Sequence, residues 1–197
     1  MKFIIMADGK EERWKSHLGI SKHLVEIEGE KLICRTIRLL LKETQPDTEI
    51  IVTSHDEAYD FDNCIRYEPL NNVLEIDRFT EELIEDNICF LYGDTYYTAN
   101  SIKTIVETKP AGTVFFGNER SIVAVKIHDS DEFRKHKSKI RDMFLKGEIS
   151  QCKGWQIYQS FCGQNLNEPP VLEDNFVIID DRTMDINTPE DYDRLIY

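Results

Sequence analysis

Four short segments of this chain combine residue types that suit phosphate and metal chemistry. The first is Ala7-Asp8-Gly9-Lys10-Glu11-Glu12-Arg13, directly after the apolar run Phe3–Ala7. A strand that opens into a small-residue loop with Lys and Arg can wrap N–H groups and cations around phosphates. It has neither the spacing of a P-loop nor the G-x-G-x-x-G of a dinucleotide fold. The second is Gly19-Ile20-Ser21-Lys22-His23-Leu24, where Lys22 could reach the same phosphates as a point charge. His23 reads as structural, because no second histidine stands at metal-ligand spacing. The third is Tyr92-Gly93-Asp94, a carboxylate just past the buried run Ile88–Tyr92, beside a glycine that admits a ligand. Magnesium favours one or two carboxylates completed by substrate phosphates. The fourth is Asp185-Ile186-Asn187-Thr188-Pro189-Glu190-Asp191. Its last four residues are a helix start, with Thr as cap, Pro in the first turn and acids at the positive end. That leaves Asp185 as a second candidate metal carboxylate. Each segment taken singly also has an ordinary explanation: a solvent loop, a surface lysine, a strand-ending turn, a turn-forming aspartate.

The elements that must position these residues read as follows. Lys2–Met6, Ile50–Val52, Cys64–Tyr67, Ile88–Tyr92, Thr113–Phe116, Ile122–Ile127 and Phe176–Ile179 are apolar or alternating runs bounded by turn residues, hence strands. Lys31–Glu43 has helical apolar spacing, and Pro46 ends it. Asn71 or Asn72 can cap a helix carrying Val73, Ile76, Phe79 and Leu83 on one face. Ile102–Val106 and the basic stretch Asp131–Leu145 are further helices. Residues 147–170 carry Gly and Pro and read as a flexible segment on the substrate side. Strands alternating with amphipathic helices predict an α/β fold with a mostly parallel sheet, in which ligands bind beyond the carboxyl ends of the strands. The loop after Met6 and the Gly93-Asp94 pair lie at such ends.

With 197 residues, 41% hydrophobic and 31% charged, the chain has an ordinary globular composition. No apolar run approaches the roughly 20 residues that cross a bilayer. The N-terminal apolar run is too short for a secretory signal. The net charge of −13 argues against nucleic-acid and anionic-membrane partners. That charge is uneven. Residues 1–42 are net positive and residues 43–102 strongly negative, and the acidic stretch reads as solvated helix faces. Arg134, Lys135, Lys137, Lys139 and Arg141 likewise read as a solvated face, or as a patch that steers an anionic substrate. The five cysteines are odd in number and lack C-x-x-C spacing, so free thiols in a reducing, cytoplasmic setting are expected, with neither a disulfide framework nor a zinc site.

Taken in order, these segments resemble the signature of nucleotidyltransferases with a GT-A-like, Rossmann-related fold. Phe3–Arg13, Lys22-His23-Leu24, Glu28-Gly29-Glu30 and Arg35-Thr36 resemble the family's opening strand, loop ending in Arg, lysine step and first helix. Gly93-Asp94 resembles its first metal aspartate, and Asp185–Asp191 its closing motif. Tyr67-Glu68-Pro69-Leu70-Asn71-Asn72 resembles a segment of the cytidylyltransferases that act on small phosphates. The resemblance implies a three-layer α/β/α sandwich of the nucleotide-diphospho-sugar transferase type, over one domain, 1–197. Residues 1–100 would form the nucleotide half and 101–197 the acceptor half. It also implies a reaction: a phosphorylated acceptor attacks the α-phosphorus of a nucleoside triphosphate, CTP being favoured, and pyrophosphate leaves. The product would be an activated precursor for surface polysaccharide, such as capsule, or for lipid decoration. Carried onto this chain, Arg13 and Lys22 would be catalytic. Ala7, Asp8, Gly9, Asn72 and Gly93 would bind the nucleotide. Asp94 and Asp185 would hold Mg2+. Trp155, Tyr158 and Glu173 are candidates for the acceptor pocket by position, and a homodimer is compatible with the family.

The chain departs from the family pattern at Asp8, Glu11 and Glu12, which would repel a triphosphate unless turned away, and at Ser21, which stands where the family has proline. Two competing readings follow. A GT-A glycosyltransferase would carry Asp-x-Asp where this chain has Asp94-Thr95-Tyr96. A non-catalytic nucleotide-binding module would explain the acidic loop.

Overall fold

A computed structural model describes residues 1–109 and 111–196. In chain order the elements are β1 (Lys2–Met6), β2 (Glu26–Ile27), β3 (Glu30–Lys31), α1 (Leu32–Glu43), β4 (Glu49–Thr53), β5 (Ile65–Tyr67), β6 (Ile88–Tyr92), β7 (Thr95–Tyr96), α2 (Ala99–Glu107), β8 (Val114–Gly117), β9 (Ile122–Ile127), α3 (Ser130–Leu145), α4 (Gly154–Phe161), β10 (Phe176–Ile178), β11 (Met184–Asp185) and α5 (Pro189–Ile196), with 3-10 turns between them. Seven strands form one sheet in the order β10-β8-β9-β6-β1-β4-β5. Within it β9 runs antiparallel to β6 and β8, and the other neighbouring pairs are parallel.

The apolar runs of β1 and β6 are continuous because the sheet is covered on both faces. Side chains alternate across it. Phe3 and Ile5 of β1 join Ile33, Ile37 and Leu40 of α1 and Ile102 and Ile105 of α2 on one side. Ile4 and Met6 join Phe133 and Ile140 of α3 and Ile157 and Tyr158 of α4 on the other. The result is the expected three-layer α/β/α architecture with a mixed, mostly parallel sheet. All five cysteines are free thiols. Among the described residues no helix is long and apolar enough to cross a membrane.

Three local expectations are corrected. Residues 72–83 do not form one helix. They form two 3-10 turns, Glu75–Arg78 and Glu81–Leu83. The buried Asp77 carboxylate accepts from Val73 N (3.2 Å) and Leu74 N (2.8 Å), so the side chain takes amides that a longer helix would leave open. Ile76, Phe79 and Leu83 still face the core. Residues 147–170 are not a flexible segment throughout, since α4 packs nearly all its residues inward and Ile157 and Tyr158 join the core. The basic stretch on α3 is not a solvated face. Lys137 is buried and meets Glu81 at 2.7 Å, Arg134 meets Glu81 at 2.9 Å, and Arg141 reaches Asp77 at 3.3 Å. Only Lys135 and Lys139 of that set are exposed.

The chain reverses the direction of its winding at β1, with β4 on one side and β6 on the other. A crevice therefore opens beyond the carboxyl ends of β1 and β6. The loop after Met6 and the Gly93-Asp94 turn border it.

Candidate active site

Asp94 follows β6 in a turn that leads at once into β7. This two-residue strand pairs antiparallel with β11, in register Thr95↔Asp185. Ile186 N donates to the Asp94 carbonyl at 2.7 Å. The two acidic residues, distant in sequence, are thus brought together in the backbone, Asp94 directly before β7 and Asp185 at the end of β11, and both line one cleft. The Thr188–Asp191 cap holds the far side of this β7–β11 pair. Asp191 Oδ2 accepts from Thr188 N (2.9 Å), Thr188 Oγ1 (2.9 Å) and Asn187 N (3.1 Å). Asn187 donates its side-chain amide to Asp185.

Lys22 is 5% exposed and Asp94 6% exposed, and Lys22 Nζ meets Asp94 Oδ2 at 2.5 Å. Burial alone would push the Asp94 carboxyl up. The charges of Lys22, His23 and Arg78 outweigh it and hold Asp94 below the usual carboxylate range. Asp185 goes the other way, raised by burial and by the neighbouring Asp94 charge. One carboxylate is already neutralised by an ammonium, while among the described residues the second has no cation of its own. Two adjacent carboxylates of this kind, completed by phosphate oxygens, fit a hard divalent cation such as Mg2+. Among the described residues no cluster of three or more acidic, His or Cys side chains forms a closed all-protein metal site.

These residues line a cleft of about 640 Å³ together with Arg13, Asn72, Arg78, Tyr92, Arg120, Lys153 and Trp155. Arg13 stands exposed on its rim. The loop carrying Arg13 is anchored by Trp14, which is fully buried against Val25, Ile27 and Ile186 and donates Nε1–H to the Ile20 carbonyl at 2.8 Å. Lys10 and Asn72 tie the loop to the opposite wall. Lys10 Nζ donates to the Val73 carbonyl at 3.2 Å, and the Asn72 amide donates to the Asp8 backbone and, at 2.7 Å, to its carboxylate.

Two of the three acidic residues of the loop are tied to other groups, although Glu11 still lines the cleft. Asp8 faces His55 (3.0 Å) and Asn72. Glu11 accepts from Ser21 Oγ at 2.5 Å and lies 3.0 Å from His23 Nδ1. Burial would raise the Glu11 carboxyl, but the His23 and Ser21 contacts dominate and hold it low. Ser21 thus serves as a polar clasp between Glu11 and Tyr59. His23, 2% exposed, also meets Tyr59 OH at 3.0 Å, in keeping with the structural reading of its sequence. Glu12 alone remains exposed on the cleft wall.

Of the residues singled out in the sequence, Arg13, Lys22, Asn72, Asp94, Asp185 and Trp155 come together around the cleft. Ala7, Asp8 and Gly9 line a neighbouring depression with Ser54, His55 and Tyr59, which shares Glu11 with the cleft. Gly93 makes room for protein: a Cβ there would lie 2.6 Å from the Met6 carbonyl oxygen and 3.2 Å from His23 Cδ2. Tyr158 is buried, its hydroxyl donating to the Val171 carbonyl at 2.9 Å and accepting from Glu173 N at 2.7 Å. Glu173 itself lies at a small surface depression with Phe161 and Cys162. Neither reaches the cleft. Arg78, Arg120 and Lys153 were missed, because isolated basic residues in irregular segments carry no periodic or motif signal.

No family model and no curated protein matches the chain. Solved structures do. The CTP:phosphocholine cytidylyltransferase of Streptococcus pneumoniae superposes with a TM-score of 0.62 at 16% identity, covering 98% of this chain and 96% of that one. A nucleotidyl transferase from Methanothermobacter thermautotroptrophicus gives 0.66 at 16% identity, covering 99% and 95%. The Rv0371c protein of Mycobacterium tuberculosis H37Rv, in complex with manganese, gives 0.58 at 14% identity, covering 99% and 97%. The described strands, helices and crevice of this chain accordingly make up a nucleotidyltransferase-like α/β fold.

Proposed function

We propose that this chain is a divalent-metal-dependent nucleotidyltransferase that moves a nucleoside monophosphate from a nucleoside triphosphate to a small phosphorylated acceptor. The observation that carries the reading is the meeting of Asp94 and Asp185 at one cleft, with Lys22 against the first and Arg13 on the rim of the same cleft. A phosphate oxygen of the acceptor attacks the α-phosphorus, the bond from that phosphorus to the bridging oxygen breaks, and pyrophosphate leaves. Such chemistry asks the protein for positioning and charge neutralisation. Asp94 and Asp185 would hold the cation. When bound, it neutralises phosphate oxygens and orients the two reactants. Lys22, shared between Asp94 and the cleft, and Arg13 at the rim offset negative charge on the α-phosphate and on the leaving pyrophosphate. Asp8 and Glu11 are engaged by His55, Asn72, Ser21 and His23, which leaves Glu12 as the acidic loop residue without such a partner among the described residues.

CTP is the favoured donor. Support comes from the Tyr67–Asn72 segment and from the likeness to a CTP:phosphocholine cytidylyltransferase. Mg2+ is the favoured cation, since two carboxylates plus phosphates suit it. Trp155 offers an aromatic face to the acceptor. Activation of a precursor for surface polysaccharide or lipid decoration is the role that follows. Pyrophosphate release, measured over the four nucleoside triphosphates and a panel of phosphorylated amino alcohols, polyols and sugars, tests the reading. Metal-dependent release with one pair, lost in Asp94→Ala and Asp185→Ala, is expected. Undiminished release in both variants would refute it.

A further inference from the structure

We propose that Arg78 is a phosphate-binding residue of this cleft, preset to take the phosphoryl oxygens of the nucleotide. The guanidinium lies flat against the loop after β1. Its Nη2 and Cζ would be 3.0 and 3.1 Å from a Cβ at Gly9, so a larger residue there would push the guanidinium out by a few tenths of an ångström. Gly9 therefore has a purpose that the loop motif alone does not disclose: its bare backbone is the platform on which the arginine rests.

The other partly buried or helical arginines are paired. Arg38 meets Glu30, Arg66 meets Asp60 and Glu68, Arg134 meets Glu81, and Arg141 meets Asp77. Arg78 lines the cleft, is half-buried, and among the described residues has neither a carboxylate partner nor a hydrogen-bond acceptor for its N–H groups. Arg13 and Arg120 also line the cleft without a partner, but both are exposed and water satisfies them. A guanidinium presents five donors in a fixed fork that matches phosphate. Holding it in place without an acceptor costs desolvation that a bound anion returns. Arg78 lines the same cleft as Asp94 and Asp185. The anion is a phosphoryl group, and the contact with the β1 loop favours the triphosphate over the acceptor.

The inference rests on the proposed reaction for its purpose, but not for its test. Binding of inorganic triphosphate, CTP and glycerol phosphate is measured by calorimetry without metal, for wild type, Arg78→Gln, Arg78→Lys and Gly9→Ala. Arg182→Gln, exposed and not among the residues that line the cleft, serves as the control. Loss of one charge-assisted phosphate contact is expected to weaken inorganic triphosphate and CTP about ten- to hundredfold in Arg78→Gln. Arg78→Lys is expected to recover part of that loss, and Gly9→Ala to lie between, by displacing the fork. A loss confined to glycerol phosphate would keep the phosphate chemistry but overturn the assignment to the nucleotide. Unchanged affinity for all three ligands, in variants that melt like wild type, would overturn the inference entirely. Turnover that survives in Arg78→Gln with unchanged affinity refutes this role alone. Arg78-dependent binding in a chain that never releases pyrophosphate refutes the reaction instead.

Discussion

Replacing Lys22 with methionine removes the ammonium and keeps the bulk of the stem. The structure leaves Asp94 at 6% exposure with its partner gone. Breaking a buried pair from one side typically costs about 3–5 kcal/mol, because the surviving charge is desolvated and uncompensated. For a chain of this size each kcal/mol moves the melting temperature by about 2–4 °C, so Lys22→Met should melt roughly 6–20 °C below wild type in chelator. A divalent cation with nucleotide supplies the missing positive charge, and at a hundred times its dissociation constant a ligand returns about 2.7 kcal/mol. Metal plus nucleotide should therefore raise the melting temperature of Lys22→Met while leaving turnover low. The double variant Lys22→Met/Asp94→Leu should be less destabilised than the two single losses added together, a coupling that the thermal cycle measures directly. If Lys22→Met melts with wild type in chelator, the buried pair is not formed and the electrostatic account of the site is wrong.

Gly93→Ala should cost about 2 kcal/mol or more, since its Cβ would meet the Met6 carbonyl at 2.6 Å and neither backbone can yield; denaturant unfolding reads the loss, and a wild-type midpoint would contradict it. The acid limb of stability should depend on Glu81. Burial opposes its ionisation, but Lys137 and Arg134 hold its carboxyl below the ordinary value. A depressed carboxylate stabilises the fold above its unfolded value of about 4.3 and loses that contribution as pH falls through the folded value. Glu81→Gln should therefore flatten the decline below about pH 4.5, whereas an unchanged acid limb would count against the Glu81–Lys137 contact.

Much of this fold could be read from periodicity, because the strands at its centre are short unbroken apolar runs and α1 and α3 are amphipathic. What could not be read depended on partners distant in the chain. Asp77 diverts Val73 and Leu74 from a helix, and nothing local announces that its carboxylate will be buried. Lys137 and Arg134 look solvent-facing until Glu81 is brought beneath them. The segment around Trp155 lies between Gly and Pro residues, which outweighed its aromatic content. At the site, Asp94 and Asp185 were legible as residues left unexplained by a turn and a cap. The two-residue strands that join them were too short to show any period. Trp14, which anchors the loop, and Arg78, which rests on Gly9, became meaningful only once the loop had a shape.

The most direct test of the central claim is a titration of Mn2+ followed by electron paramagnetic resonance, in the presence of nucleoside triphosphate. If the pairing of β7 with β11 brings Asp94 and Asp185 to one cation, wild type binds a single ion more tightly than nucleotide alone does. Asp94→Asn and Asp185→Asn should then each weaken that site while the fold persists. Equal Mn2+ affinity in wild type and both variants would contradict the account.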